Sequence, residues 1–231
     1  MDEATASAVD KLEARAEMAC GCAARMIAES NVPAAVVDES GTFLGLNAVH
    51  AALLGSTVEQ VTGRRMREVL PARYADPTMR MVHEVLRQGR AVCTVVLWQG
   101  NWIRVRFSRQ EWDGRPACLI RVDPWRQAIF EAVPPSADQP VEFAAHDPGD
   151  LGVLSAREAE VLWMVGQGMS LPALARSINR SIKTVESHVR SVGSKLKLRG
   201  RFEIARFAHE RGLVHMTHEQ VLRVFSDRRW G

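Results

Sequence analysis

Three serines constrain this chain more than any other feature. Ser155, Ser170 and Ser181 each stand directly ahead of a stretch with helical apolar spacing. Ser155-Ala-Arg-Glu158 is a capping box, in which the serine hydroxyl takes a backbone N–H three residues on and the glutamate reaches back. The helix it opens carries Val161, Leu162 and Val165 inward and stops at Gly168, a favoured residue past a helix end. Ser170 then opens a short helix with Leu171, Leu174 and Ala175, and after Asn179-Arg180, Ser181 opens a third running to about Leu196. A short helix, a tight turn and a longer basic helix form the geometry that lays the last element in a major groove.

Charge agrees with that reading. The net charge of +3 hides an asymmetry. Residues 1–150 hold 16 Lys plus Arg against 20 Asp plus Glu, giving −4, whereas residues 151–231 hold 14 against 7, giving +7. A basic third on a mildly acidic remainder is an electrostatic footprint for nucleic acid.

On the third helix Val185, Val189 and Val192 fall at spacings of four and three, giving a buried face, and Lys183, Glu186, Ser187 and Arg190 point away from it. The string Leu154-Ser155-x-Arg157-Glu158-x-Glu160-Val161-Leu162, then Gly168-x-Ser170, then Thr184-Val185-x-x-His188-x-x-x-Val192-x-x-Lys195-Leu196, with Gly212-Leu213 near its end, resembles the LuxR-type helix-turn-helix. The resemblance implies that the residues two, three and six places after Thr184 face bases: Glu186, Ser187 and Arg190. Arginine suits guanine O6/N7, glutamate accepts from a cytosine amine, and serine is permissive. Ser170, Arg180, Lys183, Thr184, His188 and Lys195 are expected to hold phosphates and set register without reading sequence. A fourth helix, Arg201–Glu210, is expected to expose Ile204, Ala205 and Ala208, and in this family such a helix pairs with its twin. Thr217-His-Glu-Gln220 is a further capping box, opening a fifth helix with Val221, Leu222, Val224 and Phe225 that either extends a dimer interface or covers the fourth helix.

The N-terminal part has another character. Residues 5–30 read as an alanine-rich helix whose Val9, Leu12, Ala16, Ala19, Ala23 and Met26 recur at three and four, as in a short coiled coil. Two short strands follow, Ala34–Val37 and Phe43–Leu46, then helices, with Asp76–Arg87 the longest, then strands Ala91–Trp98, Trp102–Ser108 and Ala117–Val122. In the middle strand Ile103, Val105 and Phe107 alternate with Trp102, Arg104 and Arg106, which predicts a half-buried strand with Trp102 on the outer face. Gln99-Gly100-Asn101 and Asp113-Gly114 mark the hairpin turns. The order predicts an α+β domain, an antiparallel sheet with helices on one face, followed by an all-α helix-turn-helix domain. Val36-Val37-Asp38-x-x-Gly41-x-Phe43-Leu44-x-x-Asn47, with Leu53-Leu54-Gly55 and Gly63-Arg64, resembles a PAS sensory domain. That resemblance implies a small ligand or cofactor, or a dimerising role alone.

The expected layout is therefore a leading helix over 1–30 that serves dimerisation or packs on its own domain, a PAS-like sensor over 31–123, a proline-rich linker over 124–150 with a short helix around Trp125–Ala132, a DNA-binding domain over 151–214, and an extra helix over 215–231.

Several inputs fit poorly. A phosphoacceptor domain needs a lysine near its last strands, and Lys11 is the only lysine before residue 151. The lactone-binding domain of quorum-sensing relatives is rich in Trp and Tyr, whereas Tyr74 is the only tyrosine. No cofactor is evident. His50 and His83 lie on expected helices, read as solvated or capping histidines, and neither stands where haem-binding PAS relatives place their ligand. The Asn-Cys-Arg context of flavin-binding relatives is missing. Cys93 and Cys118 read as core thiols, and Cys20-Gly-Cys22 lacks a second pair at zinc spacing. Nothing resembles a catalytic constellation. No apolar run approaches the ~18 residues that span a bilayer, and the acidic start Met1-Asp2-Glu3 is unlike a signal peptide, so a cytoplasmic site is expected.

The reading that emerges is a homodimeric, non-enzymatic transcription regulator binding an inverted repeat in duplex DNA, controlled by a small ligand or partner at the PAS-like domain, with RNA polymerase a candidate contact. The rivals are a ligand-free PAS scaffold beside the DNA-binding domain, and an enzyme with an accessory DNA-binding domain.

Overall fold

Asn47 fixes the first corner of the chain. Its Oδ1 accepts from the backbone N–H of His50 at 2.8 Å and of Ala34 at 3.2 Å, while its Nδ2 donates to the carbonyls of Ile27, Ser30 and Val32. One side chain thus caps helix α1 (Ala48–Leu53) and ties it to strand β1 (Ala34–Val37). The computed structural model describes Ile27 and residues 29–124, 141–142 and 146–226. Most of the leading helix expected over 5–30, the Cys20-Gly-Cys22 pair, the helix around Trp125–Ala132 and the last five residues lie outside the described ones.

By internal contacts the chain divides into two units. In the first, β1 pairs antiparallel with β2 (Phe43–Leu46) and with β5 (Arg115–Pro124), setting Val37 opposite Cys118. The turn between β1 and β2 is held by Asp38, whose Oδ1 accepts from Thr42 N–H at 2.8 Å. Gly41 sits there at φ +80°, which favours glycine, and a Cβ on it would also press on Met79 Sδ at 2.6 Å. Short helices α2 (Val58–Val61) and α3 (Met66–Val69) lead to α4 (Ala72–Gln88), which buries Ala75, Met79, Val82 and Val85 and stops at Gly89. β3 (Val92–Trp98) and β4 (Asn101–Trp112) complete the sheet in the order β2-β1-β5-β4-β3-β6, with β6 the two residues Val141–Glu142. This is the expected antiparallel sheet with helices. Its core joins Val37, Phe43, Met66, Phe107, Cys118 and Ile120 to the buried face of α4.

The second unit takes in the tip of the β3–β4 hairpin, residues 95–104, along with 146–226. Around it run α5 (Ala156–Gly166), α6 (Leu171–Ser177), α7 (Ile182–Leu196), α8 (Gly200–Glu210) and α9 (His218–Ser226). All three serine caps form: Ser155 with its reciprocal Glu158, Ser170 on Ala173 N–H, and Ser181 on Thr184 N–H. The stretch ahead of α5, expected to be linker up to residue 150, is built into this unit. Asp147 N–H donates to Leu97 O at 2.7 Å, and Leu151 is fully buried. Trp102 departs from the expected alternation. It is 2% exposed, in one apolar cluster with Val95, Leu97 and Leu151, and its ring stacks on His146 with centroids 6.1 Å apart.

Helix α8 also departs from expectation. Ile204 and Ala208 are 1% and 0% exposed, because α8 packs closely on α5. Gly166 allows the approach: a Cβ there would stand 2.7 Å from Ala208 Cβ and 2.9 Å from Val214 Cγ1. A dimer contact through Ile204 and Ala208 is thus unavailable, and the apolar group α8 offers outward is Phe202, 82% exposed. Helix α9 neither covers α8 nor stands free, but packs on α5 through Val221, Val224 and Phe225. Trp163 Nε1 donates to Met216 O at 2.9 Å, and the His218 ring stacks on Trp163 while its Nε2 meets Glu160 Oε1 at 2.7 Å.

The α5–α8 approach makes a first prediction. Gly166→Val overpacks a closed contact and should lower the unfolding free energy of the second unit by roughly 1–3 kcal/mol, measured by urea titration of the full chain. An unchanged midpoint would mean that α5 and α8 are not in close contact.

Candidate nucleic-acid interface

The turn between α6 and α7 is short because the chain doubles back at once. Asn179 adopts φ +52°, a conformation asparagine tolerates well, and Arg180 N–H returns to Ala175 O at 2.9 Å. Helix α7 then starts from Ser181, whose hydroxyl accepts from Thr184 N–H at 3.2 Å and lies 2.9 Å from the Thr184 hydroxyl. Val185 and Val192 are fully buried and Val189 half-buried, which fixes the inward side of α7.

On the outward side Lys183, Glu186, Ser187 and Arg190 are all exposed. Glu186 and Arg190, one turn apart, form no pair with each other or with another described residue. Thr184 and His188 are half-buried at the shoulder of the helix, and Ser170 and Arg180 are exposed at the starts of α6 and α7. Ser170 spends its oxygen on the cap, accepting from Ala173 N–H at 3.4 Å. The structure thus brings the expected base-facing residues onto one helix surface and leaves their polar groups available. Further exposed cations not singled out from sequence, Arg176, Lys197 and Arg199, lie on the same three-element stretch.

Lys195 stands apart from the others. Its Nζ lies 2.6 Å from Glu158 Oε2 on α5, and Glu158 is 7% exposed. The other carboxylate oxygen accepts from Ser191 Oγ at 2.6 Å, and Ser155 N–H donates to Oε2 at 2.7 Å. Burial alone would raise this carboxyl, but the hydrogen bonds from Lys195, Ser191 and Ser155 overcome it and hold its pKa down to about 2. The sequence motif showed the Ser155 partner and gave no signal of the two on α7.

In the first unit His50 is 5% exposed, neither solvated nor a cap. Burial pushes its pKa down to about 4, against a hydrogen bond to the Pro33 carbonyl, so the ring is neutral at pH 7 and its Nδ1 has no partner among the described residues. His83 is exposed, with Nε2 3.0 Å from Glu39 O. Cys118 is fully buried, its thiol pushed up to about 12 by desolvation, and Cys93 is half-buried. Among the described residues no three His, Cys, Asp or Glu side chains gather as a metal site, and no helix is long and apolar enough to cross a membrane.

With this geometry in place, comparison with known proteins identifies two domains. Residues 152–208 match the bacterial regulatory proteins of the luxR family, and residues 27–124 match the PAS fold. Comparison with curated proteins found no match. Among solved structures, the chain is similar to Vibrio cholerae VqmA in a complex with ligand and DNA, at 21% identity and a TM-score of 0.45 over 86% of this chain and 91% of that one. It is similar to a phage VqmA–DPO complex at 16% identity and a TM-score of 0.45, over 88% and 94%. It is also similar to the PAS domain of an HTR-like protein from Haloarcula marismortui, at 18% identity and a TM-score of 0.35 over 50% and 98%. The domain assignment rests on the two family matches: the chain carries a PAS domain followed by a LuxR-type DNA-binding domain, and it is a transcription regulator.

His50 supplies a second prediction. Its folded pKa of about 4 lies below its ordinary 6.5, so its contribution is fully present above pH 6.5 and is lost as pH falls toward 4. The loss amounts to on the order of 3 kcal/mol at 1.36 kcal/mol per unit. Denaturant unfolding of the first unit at pH 7 and pH 4.5 should show that decline, and His50→Leu should flatten it. Parallel pH slopes in the two proteins would mean that His50 is not buried neutral.

Proposed function

We propose that this chain, with its PAS domain and LuxR-type DNA-binding domain, acts as a sequence-specific regulator that binds an inverted repeat as a homodimer under the control of a small ligand or partner at the PAS domain. The observation that carries the DNA-reading part is the outward face of α7. There Glu186, Ser187 and Arg190 stand exposed opposite the buried Val185 and Val192, with no partner among the described residues to compete with a base edge. Arg190 is suited to a guanine, Glu186 to a cytosine amine and Ser187 to either. Ser170, Arg180, Lys183, Thr184 and His188 flank that face and serve as phosphate contacts, to which the basic balance of residues 151–231 adds long-range attraction.

A single recognition helix reads too few base pairs to select a genomic site, which argues for two copies about one helical turn apart. Since Ile204 and Ala208 lie inside the fold, the twofold falls to the PAS domain, the residues ahead of it, or the surface around Phe202. Sedimentation of the full chain at micromolar concentration should show a dimer. A native mass spectrum separates ligand control from a ligand-free scaffold, through added mass on the PAS-bearing chain.

The roles within the interface separate by mutation. Arg190→Ala should cost roughly 1–3 kcal/mol on the preferred site and relax preference at one base pair of each half-site. Lys183→Ala should weaken all sequences alike and reduce the slope of log K against log salt by about one. Binding of both variants to a panel of single-base operator variants tests this. Uniform weakening by Arg190→Ala would remove it from the reading set.

A further inference from the structure

Helix α7 has to present a particular strip of its surface to DNA, so its rotation about its own axis matters as well as its position. Val185, Val189, Val192 and Leu196 hold its inward side against the core, with Gly193 close to the Leu198 carbonyl. One directional polar contact is added to that packing.

The directional contact is Glu158. Its carboxylate takes Ser191 Oγ on one oxygen and Lys195 Nζ on the other, each at 2.6 Å. Ser191 and Lys195 are four residues apart, so they lie on one side of α7 and are separated along its axis by one turn. That side is a shoulder between the buried valine stripe and the outward strip, since Ser187, one turn before Ser191, belongs to the outward residues. A hydrogen bond and a charge-assisted one to the same acceptor, at two heights of one helix shoulder, fix both rotation and axial register. The acceptor is itself anchored: Ser155 N–H holds Oε2 at 2.7 Å, and the residue is 7% exposed in the packed side of α5.

We infer that Glu158 is a positioning residue for DNA reading, setting the rotation of α7 through Ser191 and Lys195, and that Lys195 serves the interface through this contact and not as a phosphate ligand. The inference deepens the regulator reading and rests on α7 being the element that meets bases. It alters the expectation for Lys195: its ammonium is committed to a buried carboxylate, so removing it should misaim Glu186, Ser187 and Arg190 while leaving the count of neutralised phosphates unchanged.

The test uses the full chain and two probes: a duplex that the unaltered protein selects from a randomised pool, and a scrambled duplex of the same composition. Anisotropy titrations run at several salt concentrations. Glu158→Gln and Lys195→Met should each weaken binding to the selected duplex by roughly tenfold, the scale of a lost base contact. Binding to the scrambled duplex should hold, with the salt slope unchanged on both. The double variant should be no worse than Lys195→Met alone, because both substitutions break one contact. Ser191→Ala, which removes a single hydroxyl, covers the case in which the larger changes unfold α5, and should show the same loss confined to the selected duplex. A salt slope lower by about one in Lys195→Met would make the lysine a phosphate ligand and overturn the inference, as would equal weakening on both duplexes or full selectivity in Glu158→Gln and Ser191→Ala. If the unaltered chain selects no sequence, the regulator reading itself fails and the positioning role goes with it.

Discussion

Eight of the eleven residues of α5 are buried, and the second unit depends on that burial. Ala159, Val161, Leu162, Met164 and Val165 are all at most 1% exposed, with α7, α8 and α9 packed around them. Of its three charged residues only Arg157 is exposed, and α5 has two acids in its buried set, Glu158 and Glu160. Isolated, each would carry a heavy desolvation cost. Each is instead satisfied from a different neighbour: Glu158 from Ser191 and Lys195 on α7, Glu160 from Arg157 on its own helix and His218 on α9. Polar bonds on two sides of α5 thus add directional contacts to its apolar packing. Gly166, at the end of the same helix, completes the set by letting α8 approach to contact distance.

The first unit solves a comparable problem with an uncharged group. The Asn47 amide meets five backbone groups, two donors and three acceptors, at the point where the chain enters the sheet. An aspartate could accept the two N–H groups but would set a negative charge against three carbonyls, whereas the amide supplies both polarities. Close by in sequence, His50 is the costly member of this corner: it is buried, kept neutral, and bonded on one nitrogen only.

Local chemistry was the most legible part of this chain. The three serine caps, the Thr217–Gln220 box, both hairpin turns and the inward valines of α7 follow from residues within a few positions of one another, and each stands where the pattern puts it. The readings that went astray depended on distant covers. Alternation along β4 tells two faces apart but not what lies on the outer one, so Trp102 read as outward although His146 and Leu151 enclose it. Apolar spacing on α8 shows that Ile204 and Ala208 share a face, and what makes that face internal lies elsewhere in sequence, at Gly166 on α5 against Ala208 and Gly193 on α7 near Ile204. The pairing of Lys195 with Glu158, 37 residues away, is likewise invisible in the local pattern, where Glu158 stands as a helix cap. The same spacing that buries a histidine also solvates one, which is why His50 gave no warning.

The hairpin tip has a consequence for how such chains are recombined. By sequence pattern the PAS fold runs unbroken from 27 to 124, but by contacts residues 95–104 belong with 146–226. Gly100 and Gly149 show how intimate this is, since a Cβ on Gly149 would fall 2.7 Å from the Gln99 carbonyl carbon and one on Gly100 the same distance from Asp150 Oδ1. Arg211, just past α8, closes the arrangement by donating to Gln99 O and to Asp150. A crossover in the proline-rich stretch, the natural place to graft a foreign sensor, would therefore carry away Leu97 and Trp102 and leave Leu151 and Arg211 without their complement. A graft that replaces the PAS domain keeps the second unit whole only when it leaves the ten residues of the hairpin tip in place.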